Sequence, residues 1–240
     1  MKDLLTGFRK EMTYKTADVI DRLKERSRLS RNKPIYIPGA VEIDFEKAGW
    51  KGPKNISLLD FFIARYEAPF AEIGRFLYHD QQPVTDPNLL PGCVVERAED
   101  DYVIYPVRIP VRKQIMDFYM QFLDRLCEPG NNPKIYGQTA ADADLIIHVN
   151  DRIITGKAIA ESKLRDPECH DKIIENLDNT EKLIEILRNE EIEKGVLEET
   201  RSVAEDYELN PDLAEEFVRW MIDITLRTVE VEYLRQELKR

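Results

Sequence analysis

The feature that most restricts the fold of this chain is the spacing of its apolar residues. They return at helical intervals through most of its length and almost nowhere alternate as a strand requires. From about Leu4 to Leu29, the residues Leu5, Phe8, Met12, Thr16, Val19, Ile20 and Leu23 share one stripe, which predicts one long helix. Ser57 is placed to cap a second helix through Leu58, Phe61, Phe62 and Phe70 to about Phe76, with Pro69 positioned to kink or divide it. Helical rhythm returns from Ile115 to Cys127, breaks at Pro129, Gly130 and Pro133, and resumes after Gly137 almost to the end, with stops near Pro167 and Pro211. Tyr102, Val103, Ile104, Tyr105 and Val107 could make a short strand, but no second run offers itself as a partner, so extended loop is expected there. Clustered prolines and glycines between Asn32 and Lys54, and prolines between Gln82 and Pro110, mark two loop excursions, about 32–56 and 82–113. The expectation is an all-α multi-helix bundle forming a single domain over 1–240, without internal repeats.

Composition narrows the function classes. A net charge of -11 repels phosphate backbones, so a nucleic-acid partner is not expected. Cys93, Cys127 and Cys169 are odd in number and lack paired spacing, which implies neither a disulfide framework nor a zinc site and fits a reducing, cytoplasmic setting. No apolar run approaches the roughly 20 residues that span a bilayer, and no targeting segment is visible, so no membrane partner is expected. His79, His148 and His170 have neither metal-ligand spacing nor a nucleophile beside them and read as structural or exposed; Trp50 and Trp220 read as packing residues.

The informative anomaly is charge where a helix should be apolar. In the helix expected from about Asp142 to Leu164, Arg152 and Lys163 fall on the stripe made by Leu145, Val149, Ile153, Ile159 and Ala160. They are eleven residues apart, close to three turns at about 3.6 residues per turn, so both cations look the same way. Gly156 lies between them at a cost of roughly 1 kcal/mol against alanine, which leaves room for something on that face. Arg9 sits among Leu5, Phe8, Met12 and Thr16, and Glu193 among Ile192, Val196, Leu197, Thr200 and Ala204. Each of these taken alone is explained by long side chains reaching the helix edge or pairing with a neighbouring acid. Several on separate helices instead suggest a bundle-interior pocket for a small dianion, because a buried unpaired charge demands a partner, a ligand or water.

The segment DRIITGKAIAESK, Asp151 to Lys163, is similar to the segment carrying paired catalytic arginine and lysine in the yeast-type chorismate mutases of fungi and plants. RLKERSRLSRNKPIY (Arg22 to Tyr36), SLLDFF (Ser57 to Phe62), IYGQTA (Ile135 to Ala140) and VEVEYL (Val229 to Leu234) resemble that family in the same order. The resemblance implies the all-helical fold of the eukaryotic enzymes, a homodimer with a complete site in each subunit, and rearrangement of chorismate to prephenate without metal or cofactor. It also implies roles: Arg9 and Arg152 meeting substrate carboxylates, Lys163 donating to the ether oxygen of the breaking bond, Asn189 assisting binding, Glu193 meeting the ring hydroxyl, and Glu230 as the second partner of the ether oxygen. Without the resemblance, Glu230 reads as part of a surface ion-pair network with Arg219, Asp223 and Arg227.

Two departures from the family pattern carry expectations of their own. Four residues before the key glutamate the family has a threonine; here Leu226 holds that place and Thr225 is one step away, about 100° around a helix. Thr225 can then reach substrate only if the helix rotates or kinks locally. The family's effector site pairs a double arginine with a Gly-Ser turn, where this chain offers Gly74 and Arg75 for the first and Gly137 and Gln138 for the second. One arginine and the serine are missing, and the connection around Asn210 and Pro211 is short, so weak or absent feedback by tyrosine and tryptophan is expected. Two other functions stay open from the sequence: a helical interaction protein that no longer catalyses, with Leu226 as its clue, and an isochorismate pyruvate lyase.

Overall fold

The computed structural model describes residues 2–96, 104–132 and 134–239, with side chains from residue 6 onward. Ten α-helices appear among them and no strand: α1 (Lys2–Ser27), α2 (Leu58–Glu72), α3 (Arg112–Leu126), α4 (Tyr136–Ile154), α5 (Gly156–Leu164), α6 (Pro167–Glu175), α7 (Thr180–Leu187), α8 (Glu190–Asp206), α9 (Pro211–Ile224) and α10 (Val231–Leu238). Between α9 and α10 the chain never leaves helical geometry, but Thr225–Glu230 is wound as a π-helix. The all-α expectation holds. Ile104, Tyr105 and Val107 lie in extended loop, while Tyr102 and Val103 fall outside the described residues.

α4 is the central element, packed against α1, α2, α3 and α9, and it supplies much of the apolar core through Leu145, Ile146, Val149 and Ile153. Its other anchor is polar. Asp142 is fully buried and accepts from Arg26 Nε, from the Tyr119 hydroxyl, and from the Tyr36 hydroxyl at 2.8 Å. This knot ties α4 to the end of α1, to α3 and to the 3-10 turn Lys33–Tyr36 that begins the first loop excursion. The second excursion is pinned in the same way. The buried carboxylate of Glu67 accepts from the backbone N–H groups of Val84 and Thr85, both at 2.8 Å. Lys157 Nζ donates to the carbonyl of Val107 at 2.6 Å and to His79 O and Gln82 Oε1 at 3.3 Å each. A loop without its own secondary structure must place its backbone polar groups somewhere, and buried side chains of the helices take them here.

Several boundaries differ from the sequence reading for identifiable reasons. Pro69 lies inside α2 without dividing it, and the helix stops at Glu72 rather than Phe76 because Gly74 turns into the left-handed region at φ 83°. The helix expected over 142–164 is two helices meeting at Thr155. The Thr155 hydroxyl donates back to Asp151 O at 2.9 Å, and Ala158 N–H bonds three residues back to Thr155 O, a tightening that bends a helix. Between Pro167 and Pro211 there are two further breaks, each set by an asparagine cap: Asn179 accepts from Lys182 N–H at 3.1 Å and Asn189 from Ile192 N–H at 3.0 Å.

Candidate active site

Four helical walls bring the charged residues together. α1 contributes Arg9, Met12, Thr13 and Thr16; the α4–α5 pair contributes Arg152, Ile159 and Lys163; the α7–α8 junction contributes Leu187, Asn189, Ile192 and Glu193; and the last long helix contributes Ile222, Thr225, Leu226 and Glu230. They line a cavity of about 140 Å³ that combines charged and polar groups with the aliphatic side chains of Ile159, Leu187, Ile192 and Ile222. Arg9, Arg152, Lys163, Asn189, Glu193, Thr225 and Glu230, all singled out from the sequence, line this one space.

Arg152 is 3% exposed and has no carboxylate within ion-pair distance among the described residues. Its Nε donates to Thr16 Oγ1 and its Nη1 to Thr225 Oγ1, each at 3.1 Å. Burial without a counter-ion lowers its pKa to about 10, the nearby Glu230 opposing that shift. Arg9, half-buried at the rim, likewise has no ion-pair partner among the described residues. Lys163 Nζ donates to Glu230 Oε2 at 2.6 Å and to the Leu187 carbonyl at 2.7 Å. Glu230 is buried, so its surface-network reading is set aside; burial raises its pKa, while Lys163 and Arg152 pull it down and Glu193 pushes it up. Among the described residues, the pocket thus holds two cations without an ion-pair partner and one lysine–glutamate couple.

The sequence reading missed two supporting groups, Thr16 and Arg188, and the capping role of Asn189. Thr16, taken as a core residue, fixes Arg152. Arg188 Nε donates to Glu193 Oε1 at 3.2 Å and its Nη2 to Asp223 at 3.3 Å, holding Glu193 from behind. Asn189 spends its side-chain oxygen on capping α8, which leaves its amide nitrogen as the group available to the pocket. No spacing signal links these residues to the site, because their partners are distant in sequence or act through backbone atoms.

Size alone does not pick out this cavity. A larger one, about 340 Å³, lies under the second loop excursion and reaches Lys157. Its buried lysine donates to three oxygen acceptors that tie down the loop above it.

No family model matches the chain. The chorismate mutase of Trichoderma parareesei is 28% identical, the match covering 98% of this chain and 93% of that protein. The chorismate mutase of Emericella nidulans is also 28% identical, over 90% of this chain and 86% of its own length. Over nine tenths or more of its length the chain is thus similar to the chorismate mutases of fungi. The structure of the chorismate mutase Aro7p from Candida albicans in complex with L-Trp superimposes with a TM-score of 0.84 over 99% of this chain and 94% of that one, at 18% identity, and shows the same fold.

The residues expected from the resemblance at effector positions are not brought together within one chain of this protein. Arg75 is bound to Asp151 at 3.1 Å and to Gln81 at 2.9 Å. Gly137 and Gln138 lie at the opposite end of α4, about 20 Å away along the helix at 1.5 Å per residue. The Gln138 side chain is buried, with its nitrogen toward Ser30.

Proposed function

We propose that this chain carries out the family's reaction, the rearrangement of chorismate to prephenate, in the cavity between α1, α4–α5, α8 and the last long helix. The observation that carries the proposal is the pair of uncompensated cations, Arg9 and Arg152, facing the Lys163–Glu230 couple across an aliphatic-walled space. A protein keeps a buried charge unpaired at a cost to its stability, and a dianionic ligand is what repays that cost.

The chemistry needs little else. One ether C–O bond breaks as one C–C bond forms in a single concerted step, so no nucleophile takes part and no proton need be relayed. The enzyme must hold the substrate in its compact diaxial form and stabilise the negative charge that grows on the ether oxygen. Arg9 and Arg152 hold the two carboxylates, Arg152 by its planar fork with Thr225 alongside. Lys163 and a protonated Glu230 donate to the ether oxygen, and Asn189 and Glu193 meet the ring side of the substrate. All of these groups come from one chain, in keeping with a homodimer that has a complete site in each subunit. The free cysteines Cys93, Cys127 and Cys169 suit the reducing cytosol, where we place the protein.

Incubation of the purified protein with chorismate, followed by chromatography, is expected to yield prephenate; release of pyruvate from isochorismate with no action on chorismate overturns the proposal in favour of a lyase. Turnover is expected to be unaffected by added tyrosine or tryptophan, since Arg75 is already paired and Gln138 is buried. A change of about fivefold or more in activity with either amino acid contradicts this.

A further inference from the structure

The π-helix at Thr225–Glu230 coincides with the pocket wall. Thr225 and Glu230 are five residues apart, which in an α-helix at about 100° per residue puts them roughly 140° from each other, on different faces. Yet both line the cavity: the Thr225 hydroxyl accepts from Arg152 at 3.1 Å and Glu230 accepts from Lys163 at 2.6 Å. The widened turn reconciles these facts. A π turn bonds each residue to the fifth one along, as Val231 N–H does to Leu226 O, so residues five apart stand above one another as residues four apart do in an α-helix.

A widened turn occupies more space than an α turn, and the neighbouring helix makes that space at Gly156. A Cβ built on Gly156 falls 2.6 Å from Thr225 Cγ2, closer than a real Cβ approaches another atom, and 3.2 Å from Val229 Cγ1, a tight contact. Thr225 is fixed where it is, because its hydroxyl also donates to Met221 O at 2.7 Å. The vacancy noted on the stripe between Arg152 and Lys163 is therefore filled by the π turn itself.

We infer that the Thr225–Glu230 π turn is the register device that puts the threonine hydroxyl and the carboxyl group on one face of the pocket, and that Gly156 is the positioning residue that admits it. This rests on the proposed reaction at the same site. Gly156 touches no substrate; it acts through Thr225 on the Arg152 clamp and through the same helix on Glu230.

The test is a double-mutant cycle of Gly156→Ala and Thr225→Ser, read as kcat and KM for chorismate with thermal melting of each protein. Glycine to alanine within a helix ordinarily firms the helix, so a loss here reports the clash. Gly156→Ala is expected to lower kcat/KM by about a hundredfold, the scale of a misplacement of about 1 Å. Thr225→Ser deletes the methyl that the new Cβ meets and keeps the hydroxyl, so in its background Gly156→Ala is expected to cost less than about tenfold. A Gly156→Ala enzyme as active as wild type, or a double variant as inactive or as poorly folded as the single one, overturns the inference. An inactive wild-type protein would instead refute the proposed reaction, a separate result.

Discussion

Replacing Arg152 with methionine is expected to lower kcat/KM by more than about thirtyfold and at the same time raise the melting temperature of the unliganded protein. The two effects share one cause. The guanidinium is 3% exposed, its pKa is held down at about 10 by burial, and among the described residues it reaches two hydroxyl groups and no carboxylate. Both hydroxyls keep a partner when it is gone, because Thr16 also donates to Met12 O at 2.8 Å and Thr225 to Met221 O at 2.7 Å. Exchanging a buried, uncompensated ion for an apolar side chain of similar length commonly stabilises a fold by about 1–4 kcal/mol. At about 2–4 °C per kcal/mol for a chain of this size, the gain is readable in a melting curve. The substrate, by contrast, loses its bidentate carboxylate clamp, a loss of about 2–5 kcal/mol in the transition state, or roughly 30- to several-thousand-fold in kcat/KM. Calorimetry and initial rates on the same preparation check both halves; a variant with lower melting temperature and near-normal kcat/KM contradicts the role.

The rate of the wild-type enzyme is expected to fall as pH rises, and Glu230→Gln is expected to remove that fall. Glu230 can donate to an ether oxygen only while protonated, and burial raises its pKa above the ordinary carboxylate range. The protonated fraction is complete below that raised pKa and shrinks tenfold per pH unit above it, so activity is present on the acid side and lost towards alkaline pH. A bound dianion adds a like charge and raises the pKa further. The fall in kcat, which reports the complex, should therefore come at higher pH than the fall in kcat/KM, which reports the free enzyme. Glutamine donates the same hydrogen bond without titrating, so its profile should be flat. A flat wild-type profile through neutral and alkaline pH contradicts the assignment of Glu230.

What was legible in the sequence follows from the range of the interactions. Helical stripes are local, and α1, α2 and α3 were readable to within a few residues, as was the anomaly of Arg9, Arg152, Lys163 and Glu193 on apolar faces. The charges were visible because an unpaired cation on a buried stripe breaks the local pattern. The Asp142–Arg26 knot was not, since its partners are 116 residues apart in sequence. The breaks at Asn179 and Asn189 were passed over because an asparagine caps a helix only in the right backbone conformation, and the residue type alone does not declare it. The π turn is the sharpest case. Its sequence sign was a threonine one position out of step with a glutamate, but only the packing of Thr225 and Val229 into the space above Gly156 shows how the step is absorbed.

The central claim is that fixed cations in this cavity grip a dianion and stabilise its departing ether oxygen. Steady-state conversion of chorismate by the wild-type protein and by Lys163→Ala, side by side, tests it most directly. The account predicts prephenate from the wild type and a kcat lower by about a hundred- to a thousandfold in the folded variant, the scale of losing one donor to a developing oxyanion. Equal turnover by the two proteins, or chorismate left intact by a folded wild type, would contradict it.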